Sequence, residues 1–232
     1  MALNIATLKT RALTAIVFVA VMLTGIMYHE WSFTGLFLVI QFGCIFEYLK
    51  LIKLIDPSYG KFPLPFLKFF VLGILYLVPP FSIMRMLYIY SPSFFEGPNW
   101  VLPMIIIAAI WINDTMAYFV GSLIGKHPLS AISPKKTWEG TIGGAILAVL
   151  VISWAASAIW GFSVKYLLAI SATAAIAGTF GDLLESKLKR MAGVKDSGQI
   201  MPGHGGFLDR FDSLLIATPA VWLVLLLFYR PF

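Results

Sequence analysis

Residues 101–124 read VLPMIIIAAIWINDTMAYFVGSLI, an apolar run whose one side chain charged at neutral pH is Asp114. At ~1.5 Å of rise per residue, a helix of this length exceeds the ~30 Å hydrocarbon core of a bilayer. That length and composition place the chain among all-α membrane proteins. Working outward, comparable runs occupy 12–28, 31–49, 66–90, 140–160, 166–181 and 213–229. The expected architecture is therefore a polytopic transmembrane helical bundle of about seven spans, with a polar site at its cytoplasmic side. Pro79-Pro80 removes two backbone donors and leaves the run 66–90 as either one bent span or two half-helices. The run 166–181 is short, and Gly178 and Gly181 loosen its end.

Composition agrees: 59% of the residues are hydrophobic, 12% are charged, and the mean hydropathy is +0.88, which excludes an ordinary soluble domain. The first run follows Lys9 and Arg11 without an A-x-A-like cleavage site and reads as a retained anchor. Cys44, the single cysteine, excludes an intramolecular disulfide and a multi-cysteine zinc site. The net charge of +6 is distributed asymmetrically. With a cytoplasmic N-terminus and seven spans, every Lys and Arg falls on the cytoplasmic side except Lys165, Arg230 and Arg85, the last inside the third run.

Residues 1–100 carry no nameable chemistry and are expected to be transmembrane scaffold. Residues 101–232 are expected to be the catalytic region, with cytoplasmic loops 126–139 and 183–212, the whole forming one continuous membrane domain. Asp114, deep in apolar sequence, costs several kcal/mol unless paired or wetted. Helical spacing puts it on a stripe with Tyr118, Gly121 and Gly125, beside a closely packed neighbour, and suggests a cavity-lining role. Ser133 to Gly140 place Lys135 and Lys136 ahead of a helix start capped by Thr137, a plausible phosphate site.

The densest polar stretch is 182–212. Continued as helix, Asp182, Glu185 or Ser186, and Lys189 share a face, and carboxylates so placed suit Mg²⁺. Gly203, Gly205 and Gly206 around His204 permit close backbone approach, with N–H groups free to face phosphate oxygens or with a flexible turn as the only purpose. Asp209 and Asp212, three apart, begin the last helix, as site residues or as caps. The phosphate-loop, zinc-protease and serine-hydrolase motifs do not occur.

Ser186 to Arg190, Lys195 to Gly198, and Pro202 to Asp212 together resemble the signature of the phosphatidate cytidylyltransferases, or CDP-diacylglycerol synthases. Asn113 to Tyr118 and Ser133 to Gly144 resemble two further blocks of that family, so the likeness covers roughly 108–213. Upstream the chain is shorter, as though a helical hairpin were missing near 55–65. The resemblance implies transfer of a cytidylyl group from CTP to phosphatidate, giving CDP-diacylglycerol and pyrophosphate, with Mg²⁺ as cofactor and a second cation left open.

By the same resemblance, Asp182 and Asp209 are metal carboxylates, with Glu185 and Asp212 as additional or supporting ligands. Lys135, Lys136, Lys189, Arg190, Lys195 and Arg210 are implied to meet phosphates, and Asp114, Gly205 and Gly206 to border the substrate. His204 is implied either to bond the leaving pyrophosphate or to hold the glycine turn. The implied partners are CTP, phosphatidate in the bilayer and membrane lipids, with no nucleic acid and a homodimer left open. The implied place is a bacterial inner (plasma) membrane, with the site facing the cytoplasm. A CTP-dependent polyprenol or lipid kinase is the alternative enzyme, and an organic-anion transporter the alternative outside catalysis.

Overall fold

The computed structural model describes residues 5–56, 63–92, 95–200 and 205–229, and is helical throughout with no strand among them. His204 and residues 57–62, within the segment where a missing hairpin was expected, lie outside the described residues. The helices are α1 (Ile5–Met27), α2 (Glu30–Ile55), α3 (Pro63–Ile89), α4 (Val101–Ile124), α5 (Trp138–Trp160), α6 (Val164–Met191) and α7 (Leu208–Tyr229). Among the described residues, six helices, α2 to α7, are long and apolar enough to cross a membrane. The chain is an integral membrane protein. Pro79 and Pro80 lie inside a single helix, α3.

Nearly half of the expected loop 183–212 is helix. α6 continues to Met191 and α7 already starts at Leu208, leaving 192–207 as the connection. The reason is amphipathicity: Glu185, Ser186 and Lys189 are buried and Lys187 is exposed, so the helix persists where the apolar run ends. Thr137 does cap α5, its hydroxyl accepting from the Gly140 N–H at 3.1 Å.

Two compact units divide the chain, one of Met1–Phe81 with Leu188–Phe211, the other of Ser82–Lys187 with Asp212–Phe232. In the first, α1 and α2 form a hairpin with Met22, Ile26, Phe33, Phe37 and Cys44 buried. In the second, α4 packs on α5 through small residues. A Cβ on Gly144 would strike the backbone of Asn113 and Ala117, and one on Gly140 the backbone of Ala117 and Gly121. The packed stripe of α4 is thus Asn113, Ala117 and Gly121. Of the expected stripe Asp114, Tyr118, Gly121 and Gly125, the two glycines lie close against Thr137, while Asp114 and Tyr118 are exposed.

Candidate active site

In the second unit the chemistry gathers where α6 meets α7. Gly181 has no side chain, and a Cβ there would strike Asp212 O and the Ser213 Cα, so the two helices touch at this point. Asp182, the next residue, and Glu185, one turn on, therefore come against Asp212. Ligand oxygens of the three carboxylates all lie within 4.8 Å of one another. Glu185 and Asp212 are buried and Asp182 is half-buried.

Lys136 is delivered to this group by the α4–α5 connection, which folds back on itself. The Lys136 N–H donates to Ser133 O at 3.0 Å, the Leu129 N–H to Lys136 O at 2.8 Å, and the Trp138 N–H to His127 O at 2.9 Å. Glu139, in the first turn of α5, accepts from the N–H groups of Lys126 and His127 and pairs with the His127 ring. So held, the Lys136 ammonium forms an ion pair with Asp182. Burial works against its charge, but the carboxylates of Asp182, Asp114 and Asp212 outweigh burial and raise its pKa above the ordinary lysine value. Lys136 is therefore a cation throughout the neutral range, and its attraction fades only as pH rises through that raised pKa. Asp114 is exposed on α4 within electrostatic reach of this lysine, and Lys135 is exposed.

Three carboxylates at this separation repel one another strongly unless cations compensate them. Lys136 supplies one charge. A hard divalent ion suits the rest, since Mg²⁺ takes one or two carboxylates and completes its shell with water and phosphate oxygens. The donor set fits such an ion.

The first unit holds a second polar group. Asp209, in the first turn of α7, accepts from the Lys189 ammonium at 2.6 Å, the Ser197 N–H at 2.9 Å, the Ser197 hydroxyl at 2.9 Å and the Gly206 N–H at 2.7 Å. Both charged side chains are buried.

The N–H groups of 206–208 do not face outward for phosphate. Gly206 donates to Asp209, while Phe207 and Leu208 donate to Glu47 at 3.0 and 2.9 Å. Glu47, on α2, also accepts from the Ser197 hydroxyl at 2.6 Å. The sequence reading that left residues 1–100 without chemistry missed this residue. A carboxylate inside an apolar run was the available signal, the same one that drew attention to Asp114. Arg190, Lys195 and Arg210 are exposed, and Arg190 donates to the Val194 carbonyl at 3.0 Å.

The fold and these groups define a class: a helical membrane protein with a largely buried carboxylate group suited to a divalent ion and a lysine paired to it. Residues 61–228 match the profile of the cytidylyltransferase family, and the chain belongs to that family. It is 43% identical over 133 residues to the phosphatidate cytidylyltransferase of Staphylococcus haemolyticus, covering 56% of this chain and 50% of that one. Its identity to the phosphatidate cytidylyltransferase of Bacillus subtilis is 49% over 121 residues, covering 51% of this chain and 45% of that one. The chain thus spans about half the length of the curated relatives it matches.

Proposed function

We propose that this chain is a phosphatidate cytidylyltransferase, moving the cytidylyl group of CTP onto phosphatidate to give CDP-diacylglycerol and pyrophosphate. The observation that carries the proposal is the group Asp182, Glu185 and Asp212 on two membrane helices, with Lys136 against it. In this reading these three carboxylates hold Mg²⁺. The bound ion supplies charge neutralisation for the triphosphate.

The protein's own side chains then solve an electrostatic problem. A phosphate monoester is already a nucleophile at neutral pH, so no general base is required. The obstacle is bringing one polyanion against another. Lys136 offsets the carboxylates, and the exposed Lys135 beside it in sequence receives phosphate oxygens. Asp209 fixes the buried Lys189, so that this ammonium keeps one position while charge moves.

Purified protein given cytidine-labelled CTP, phosphatidate and Mg²⁺ is expected to yield a labelled lipid on thin-layer separation. Absence of label in the lipid fraction, with substrate CTP intact, refutes the proposal.

The distribution of cations places 126–137 and 192–207 at the cytoplasmic side of a bacterial plasma membrane in this reading, where CTP is available. Gln199 is exposed in the second of these segments. A Gln199→Cys variant in a Cys44→Ala background should resist a membrane-impermeant thiol reagent in intact cells and react after permeabilisation. Labelling in intact cells would reverse the orientation.

A further inference from the structure

We propose that Glu47 is a positioning residue for cytidylyl transfer, holding the turn that carries Ser197 and the start of α7 so that Asp209 and Lys189 keep one geometry. The inference rests on the function proposed above. Glu47 lies on α2, and its three hydrogen-bond partners lie 150, 160 and 161 residues further along the chain.

The socket is built from both sides. A Cβ on Gly198 or on Gly206 would collide with the Glu47 carboxylate, so both positions are open to let that carboxylate in. One turn earlier on α2, a Cβ on Gly43 would collide with the ring of Phe207. α2 therefore grips the turn at two points, the ring at Gly43 and the backbone N–H groups at Glu47. Simple capping does not require this arrangement, since a Ser, Thr, Asp or Asn next to the helix start would serve. A carboxylate only 4% exposed on a membrane helix is costly unless its charge has a purpose.

What the grip controls is Ser197. Its hydroxyl lies 2.6 Å from Glu47 Oε2 and 2.9 Å from Asp209 Oδ2, so one proton is shared between two carboxylates. Glu47 thereby fixes the side of Asp209 that does not face Lys189. α7 carries Asp209 in its first turn and Asp212 three residues on, so holding Phe207 and Leu208 also fixes where this helix starts.

Glu47→Gln tests the proposal, because the amide offers one acceptor oxygen in place of two and at least one of three donors loses its partner. Steady-state kinetics of the purified full chain should show kcat down by about tenfold or more, with KM for CTP within about threefold of wild type. Hydrogen exchange at the Phe207 and Leu208 amides should accelerate by about tenfold, and Glu47→Asp, which keeps the charge, should recover part of kcat. Wild-type kcat in Glu47→Gln, or unchanged exchange at these amides, overturns the proposal. Should Glu47→Gln fail to accumulate, Ser197→Ala removes only the shared hydroxyl: a lower kcat at held KM supports the positioning role, and wild-type kcat overturns it. Wild-type protein that transfers no cytidylyl group overturns the function on which the proposal rests, while exchange still reports whether Glu47 holds the turn.

Discussion

Asp182→Asn and Asp212→Asn are each expected to lower cytidylyl transfer by roughly 10²-fold or more, the scale set by removing one preorganised electrostatic group from an active site. The substitution keeps shape and volume but takes away one of the charges that would hold a divalent ion. A second readout does not depend on turnover. Mg²⁺ that binds only the folded protein raises its melting temperature, the stabilisation growing with the logarithm of 1 + [Mg²⁺]/Kd. Wild-type protein in detergent should therefore melt higher with millimolar Mg²⁺ than with chelator, and Asp212→Asn should lose most of that increment. Without the ion, the same variant should be no less stable than wild type, because one of three mutually repelling carboxylates has gone. Normal turnover and an unchanged Mg²⁺ increment in both variants would remove these residues from any metal site.

Asp209→Asn is expected to act on stability as well as on activity. The carboxylate is the counter-ion of a buried Lys189 and the acceptor for Ser197 and Gly206. Removing one partner of a buried pair leaves the other charge uncompensated, a loss of about 3–5 kcal/mol. For a chain of this size that corresponds to a fall of roughly 10 °C in Tm. The double variant Asp209→Leu/Lys189→Met removes both charges and should regain much of the lost Tm, yet stay inactive. Thermal unfolding in detergent distinguishes the cases. A single Asp209→Asn variant as stable as wild type would show that Lys189 does not depend on Asp209 for charge compensation.

The membrane fold was legible because spans carry a strong signal: the run 101–124 and the helix Val101–Ile124 coincide. Helix ends were less so wherever polar residues prolong a helix. α6 runs on from the apolar stretch ending at 181 to Met191, since its charged residues sit on a face that is partly buried. Asp182 and Glu185 could be placed together from their spacing on one helix. That Asp212 joins them while Asp209 pairs with Lys189 could not, because the choice depends on how α7 lies against α6 at Gly181. Glu47 was the least legible. Its meaning lies in Ser197, Phe207 and Leu208, far along the chain, and nothing beside it in sequence hints at them.

In the proposed reaction the α-phosphorus of CTP is transferred to a lipid phosphate. Parallel reactions of purified protein with phosphatidate, Mg²⁺, and CTP labelled either at the α- or at the γ-phosphate test it most directly. The α-label is expected in the lipid product and the γ-label in soluble pyrophosphate. The γ-label in lipid, with CDP released, would instead identify a lipid kinase and contradict the account.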